Sequence, residues 1–147
     1  MHPLIPAKPL TNVHLTGIAR DLAARADAGK PIRVGVIGSG EMGTDLVTQG
    51  ALMRGIEIAA VATRRPHTVR DALKIAYGDD DRAAEADSPS KVSAAIEAGK
   101  LAICSAETLV TTPQIDVVID ATGKPGVAAD FDLLAMEHGK NLVMMNV

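Results

Sequence analysis

The run from Arg33 to Gly43, RVGVIGSGEMG, holds the residues whose spacing speaks most directly of chemistry. Gly38-x-Gly40-x-x-Gly43 follows a β-branched apolar stretch and opens a helical pattern, and in that setting each glycine has a task. Gly38 permits a tight turn, Gly40 lets the backbone approach a pyrophosphate, and Gly43 lets a helix and a strand pack closely. Ser39, Glu41 and Met42 complete the turn, where the free amides of a helix N-terminus would meet phosphate charge. Glycine-rich turns are common, so the strand before and the helix after are what give this one its meaning.

A dinucleotide site is completed at the end of the next strand, about 20 residues on, where an acid usually meets the ribose hydroxyls of NAD. Here Thr63 stands in that place, followed by Arg64 and Arg65. A missing carboxylate beside guanidinium groups suits a 2′-phosphate in both charge and forked hydrogen bonding, so the expected cofactor is NADPH (NADP) rather than NADH. S-adenosylmethionine sites also want an acid at this strand end. At a later strand end, Asp120-Ala121-Thr122-Gly123 offers a small residue and exposed amides to the nicotinamide ribose, with Ala121, Thr122 and Gly123 as candidates. Asp120 is expected to cap the turn that follows it rather than act as a base.

Other reactive types give less. Cys104 sits in an apolar run without a base partner in sequence and reads as buried filler. His14, His67 and His138 lack metal-ligand spacing, and Asp79-Asp80-Asp81 lacks the ligand spacing and glycine of a calcium loop, so no metal is expected. The Met144-Met145 pair reads as core strand.

The elements that must position these residues follow from periodicity. A helix starts at Thr11 or Asn12, carries apolar Val13, Leu15, Ile18, Leu22 and Ala26, and stops at Gly29-Lys30-Pro31. Strand Ile32–Ile37, a helix with Met42, Leu46, Val47, Leu52 and Met53, and strand Ile56–Ala62 form one βαβ unit. A helical segment then runs from His67 to Ala76, and the polar stretch Gly78–Pro89 reads as a loop or short helical insertion. Further on come helix Ser90–Ala98, strand Leu101–Cys104, a turn or helix at Glu107–Leu109, strand Ile115–Ile119, helix Val127–His138 and a closing apolar run Leu142–Met145. Mostly apolar strands alternating with helices predict an α/β domain: a doubly wound parallel sheet of Rossmann type, with an extra N-terminal helix.

Composition bounds the rest. The 147 residues carry 15 Lys+Arg against 18 Asp+Glu and are 47% hydrophobic, which excludes a disordered chain and suits a single core. Scattered basic residues, with Tyr77 and Phe131 the only aromatics, leave neither a cationic stripe nor stacking platforms, so no nucleic acid partner is expected. No apolar run is long enough for a membrane span and no signal-peptide pattern opens the chain, while a single cysteine suits a reducing compartment; the expected location is cytoplasmic. Pro3, Pro6 and Pro9 make residues 1–10 an extended arm, leaving 11–147 as the NAD(P)-binding domain. The abrupt end on a strand, Asn146-Val147, suggests a domain of a longer protein, although a stand-alone nucleotide-sensing module is the rival reading of this length.

The runs GKPIRVGVIGSGEMGTDLVTQ, TGIARDLAARADAG, AYGDDD, IEAGK, IDVVIDATGKPGV and GKNLVMMNV together resemble one family. It is that of the homoserine-dehydrogenase-like, SAF-domain-bearing oxidoreductases, through their N-terminal domain, and within it the deoxyxylulose-phosphate-reductoisomerase-like enzymes. The resemblance implies NADPH-dependent isomerisation and reduction of 1-deoxy-D-xylulose 5-phosphate to 2-C-methyl-D-erythritol 4-phosphate, a step toward isoprenoids. It also implies a longer homodimeric protein that holds its phosphorylated substrate, and any metal, in another domain. In related homoserine dehydrogenases the last strand is followed by Asn-Lys near the nicotinamide. Asn146 carries over as a cofactor-side candidate, and Val147 in place of the lysine speaks against homoserine as substrate, leaving another dehydrogenase of that type as the alternative.

Overall fold

The computed structural model describes residues 15–145. Helix α1 (Gly17–Asp27) leads into β1 (Ile32–Ile37), α2 (Glu41–Gly50), β2 (Ile56–Ala62) and α3 (Pro66–Tyr77). The chain continues through β3 (Ala83–Glu85), α4 (Pro89–Glu97), β4 (Leu101–Cys104), α5 (Ala106–Thr111), β5 (Val117–Asp120), α6 (Pro125–Glu137) and β6 (Asn141–Met144). The strands form one sheet in the order β3-β4-β2-β1-β5-β6, and every adjacent pair is parallel. This is a doubly wound α/β fold of Rossmann type with an added N-terminal helix.

Its strands are apolar on both sides because both sides are covered. On one face Val36 and Val61 pack with Val47 of α2 and Val69 and Leu73 of α3. On the other, Ala60, Ala62 and Val118 lie under Val92 and Ile96 of α4, Leu109 of α5 and Ala135 of α6. Each such fully buried Val or Leu contributes about 1.5–3 kcal/mol, so β1, buried at the centre, is held rigidly. The winding runs outward from β1 to β2 and on to the edge strand β3, comes back to β4 between them, then crosses to β5 on the other side of β1. That reversal opens a crevice at the carboxyl ends of β1 and β5, where ligands of such sheets bind.

Several boundaries differ from the sequence expectation, each for a physical reason. Helix α1 starts at Gly17, not at Thr11 or Asn12: Leu15 and Thr16 are outside it, Thr16 is extended and Gly17 has φ of +55°. Ile18 is 78% exposed, so the apolar stripe expected to be buried is open where the helix begins. Further along, Ala23 is buried and the Leu22 carbonyl lies against Gly55, the turn before β2. An Arg54–Asp27 ion pair closes the same contact. Helix α2 ends at Gly50, which leaves Leu52 and Met53 exposed in the following turn, and Met42 also faces outward. The polar stretch expected as a loop contains β3, a strand of three residues paired with β4. Met144 lies on the edge strand β6 and is 61% exposed, so the methionine pair is not core. The proposed arm, the residues expected to start the first helix, His14 and Asn146 lie outside the described residues. Among the described residues no helix is long and apolar enough to cross a membrane.

Candidate functional site

The carboxyl ends of the strands meet in a cleft of about 1060 Å³, at the upper end of the size of small-molecule sites. Its lining includes Gly38, Ser39 and Gly40 after β1, Thr63, Arg64 and Arg65 after β2, and Ala121 and Thr122 after β5. Residues read from three separate stretches of sequence are thus brought onto one surface. Glu41, Met42, Gly43 and Gly123 are not part of that lining. Glu41 and Met42 are exposed in the first turn of α2, Gly43 is buried beneath it, and Gly123 is exposed in the β5–α6 turn with φ of +62°. The cleft also takes in residues not expected at the site: Glu85 at the end of β3 with Ala86 and Asp87 after it, Cys104 at the end of β4 with Ser105 and Ala106 after it, and Lys124, Val127 and Phe131 at the start of α6. Parallel pairing is the signal that could have found them, because it carries every strand's last residue to the same rim.

The glycines divide by what surrounds them. Gly38 has φ of +104°, and a Cβ there would stand 2.8 Å from the Ala121 carbonyl oxygen, so the β1–α2 and β5–α6 turns touch. A Cβ on Gly43 would stand 2.1 Å from the Gly38 carbonyl oxygen, which fixes how closely α2 crosses the end of β1. Gly40 differs. It caps α2 with φ of −72°, lines the cleft, and a Cβ there would meet no atom within 4 Å. Neither conformation nor protein packing requires glycine at that point. Beyond it the Glu41, Met42 and Gly43 amides precede the first helical bond, which Thr44 donates to Gly40, and so remain available to an anion.

Between the first and second rim turns the hydroxyls form a closed ring. Ser39 Oγ lies 2.5 Å from Thr63 Oγ1, and Thr68 Oγ1 lies 2.8 Å from both Ser39 Oγ and the Arg65 carbonyl oxygen. The Arg65 N–H donates to Thr63 Oγ1 at 2.9 Å, so the ring closes through the Arg65 backbone, held at its N–H and at its carbonyl. Thr68 directs its one proton to Ser39 Oγ or to the Arg65 carbonyl, and one of Ser39 and Thr63 donates to the other, so the three side chains hold one another in place. Ser39, 5% exposed, and Thr63 therefore shape the rim and do not offer free hydroxyls to it. What projects from this rim turn is Arg64 and Arg65, both exposed, with no carboxylate in ion-pair range among the described residues.

The β5–α6 turn is held from below. Asp120 is fully buried and its Oδ1 accepts the Thr122 N–H at 3.0 Å, the capping role expected for it. The Lys124 N–H reaches Thr122 Oγ1 at 3.3 Å, before Lys124 caps α6. Asp132 of α6 is 4% exposed and has no hydrogen-bond partner for either carboxylate oxygen among the described residues. Burial first, and then the neighbouring charge of Asp120, push its pKa up to about 6. Cys104 is buried at the end of β4, and desolvation pushes its thiol up to about 12, so it is no nucleophile at neutral pH. Among the described residues no group of three or more His, Cys, Asp or Glu side chains is placed to hold a metal ion.

No family model matches the sequence, and no curated protein is similar enough to count as a relative. Solved structures do share the fold. The scyllo-inositol dehydrogenase of Lactobacillus casei, solved with NAD(H) and scyllo-inositol, is 19% identical with a TM-score of 0.55, over 78% of this chain and 28% of its own. A 3-ketoreductase of Actinomadura kijaniata, solved with TDP-benzene and NADP, is 18% identical with a TM-score of 0.54, over 78% of this chain and 30% of its own. The myo-inositol dehydrogenase of Lactobacillus casei, solved with NAD(H) and myo-inositol, is 19% identical with a TM-score of 0.54 over 78% and 28%. This chain therefore corresponds to less than a third of the length of these proteins, and at such identities the likeness establishes a Rossmann-type fold.

Proposed function

We propose that the cleft binds NADPH and that the chain is the cofactor-binding domain of an NAD(P)-dependent oxidoreductase. The observation that carries this reading is Gly40, a glycine in the cleft wall that neither backbone strain nor protein packing calls for. Approach of a diphosphate to the backbone accounts for it, with the amides of Glu41, Met42 and Gly43 facing the charge. Arg64 and Arg65 take the 2′-phosphate, in a rim turn whose Thr63 hydroxyl is already engaged and cannot replace the carboxylate that NAD calls for. Ala121, Thr122, Gly123 and Asn146 form the nicotinamide side. Bound there, the cofactor supplies hydride transfer, while this chain's residues orient it. The structural neighbours were solved with NADP in one case and NAD(H) in others, so the fold serves both and the choice lies with local residues such as these arginines.

The sequence resemblance extends the proposal to a substrate. It supports reduction coupled to isomerisation of 1-deoxy-D-xylulose 5-phosphate, by a homodimeric protein that holds the substrate in another domain. Titration of the chain with NADPH and NADH by calorimetry tests the cofactor reading. NADPH is expected to bind about tenfold tighter, a difference of about 1.4 kcal/mol, and Arg64→Ala with Arg65→Ala should abolish the preference. An unchanged preference in that variant removes the arginine assignment, and no binding of either nucleotide removes the site.

A further inference from the structure

The cleft extends well past the residues that a diphosphate and a 2′-phosphate would occupy. Neighbouring strands are about 4.8 Å apart, so the rim from β1 across β2 and β4 to β3 spans about 14 Å. Placing the diphosphate at Gly38–Gly40 and the 2′-phosphate at Arg64 and Arg65 sends the base outward over β4. The floor there is uncharged, made by Ile103, Cys104, Ser105 and Ala106. At the far wall the charge changes sign. The end of β3 and the turn after it present Glu85 and Asp87 around the buried Ala86, whose N–H donates to the Ile103 carbonyl at 2.8 Å and so ties the turn to β4. Both carboxylates are steadied from outside the cleft, Asp87 by Lys91 at 2.8 Å and Glu85 by Arg70 at 3.3 Å.

We propose that this turn reads the exocyclic amino group of the dinucleotide's adenine, with Asp87 as the residue that decides it, making the site selective for adenine over hypoxanthine. The inference rests on the dinucleotide reading above. An ionised carboxylate only accepts hydrogen bonds, so the group that meets it must be a donor. Adenine offers an amino group at that ring position, whereas hypoxanthine offers a carbonyl oxygen, which the carboxylate repels. The hydrogen-bonded Lys91 holds the Asp87 carboxyl below its ordinary range, keeping it in the accepting form. Phosphate groups, by the same sign rule, are kept at the β1 and β2 end of the cleft.

Calorimetric titration of the chain with NADPH and with reduced nicotinamide hypoxanthine dinucleotide phosphate tests this. The hypoxanthine form should bind about tenfold more weakly to the wild type, the size of one charge-assisted hydrogen bond. Asp87→Asn should bring the two to within about twofold, because an amide can face either group. Arg64→Ala with Arg65→Ala should weaken both nucleotides and leave their ratio as it was. Equal affinities in the wild type, or a ratio that survives Asp87→Asn, overturns the adenine assignment while leaving the dinucleotide site standing. Failure of both nucleotides to bind the wild type removes the dinucleotide reading and this inference with it.

Discussion

Asp132→Asn isolates the electrostatic strain stored beneath the β5–α6 turn. Asp132 is buried without a hydrogen-bond partner among the described residues and beside Asp120, and its pKa stands at about 6 against 3.8 for an unperturbed aspartate. A carboxyl whose folded-state pKa is raised penalises the folded form wherever pH drives it to give up its proton. Below about pH 4 both states are protonated and the group contributes nothing; as pH rises toward about 6 the unfolded state ionises first and stability falls. Above about pH 6 a constant penalty remains, on the order of 3 kcal/mol for a shift of about two units. The amide of asparagine carries no such penalty but has its own pH-independent burial cost, so the informative quantity is how the difference between variant and wild type changes with pH. Urea unfolding followed by far-UV circular dichroism should show Asp132→Asn gaining about 3 kcal/mol relative to wild type between about pH 4 and about pH 8. The remaining carboxylates are common to both proteins, so the difference isolates Asp132 and its surroundings. Parallel stability profiles over this range refute the buried, strained placement of Asp132.

Gly40→Ala and Gly43→Ala separate ligand approach from packing: the first should change stability by less than about 0.5 kcal/mol yet weaken NADPH binding about tenfold. The second, which drives a Cβ to 2.1 Å from the Gly38 carbonyl oxygen, should cost about 1–3 kcal/mol in thermal or urea unfolding. Ser39→Ala opens the hydroxyl ring and leaves the Thr63 and Thr68 hydroxyls short of a partner, with an expected loss of about 1–2 kcal/mol by urea unfolding. The Cys104 thiol, raised to about 12, should resist aromatic disulfide reagents in the native chain and react once the chain is unfolded in urea. Fast native reaction would place it outside the β4 core.

The long elements were legible because they answer to local pattern. β1 and β2 were expected over the residues they occupy, Ile32–Ile37 and Ile56–Ala62, since strands covered on both faces must be apolar throughout. Strand β3 escaped because Ala83–Glu85 is too short to show a period, and its pairing with Leu101–Ile103 is a property of the sheet rather than of the segment. The start of α1 was misplaced for the opposite reason. The apolar residues Leu15 and Ile18 fit a helical stripe, but Gly17 takes a positive φ between them and nothing in the fold covers Ile18 among the described residues.

The site was legible as residue types and not as geometry. Thr63 stands where a ribose-binding acid is expected, and from sequence it could have been a weaker hydrogen-bonding substitute for that acid. The structure engages its hydroxyl with Ser39 and with the Arg65 N–H, so the carboxylate is not replaced by anything that faces the cleft from that side chain. The same ring holds the Arg65 backbone at both its N–H and, through the Thr68 contact, its carbonyl. Loss of the acid and display of the arginines are therefore one structural event: the hydroxyl that takes the acid's place is turned inward to hold the backbone from which the guanidinium groups project. Neither Ser39 nor Thr68, separated by 29 positions in sequence, signals this alone. A change at Ser39 should on this account disturb the Arg64 and Arg65 turn as well as stability, and so erode the proposed preference for NADPH over NADH without touching either arginine.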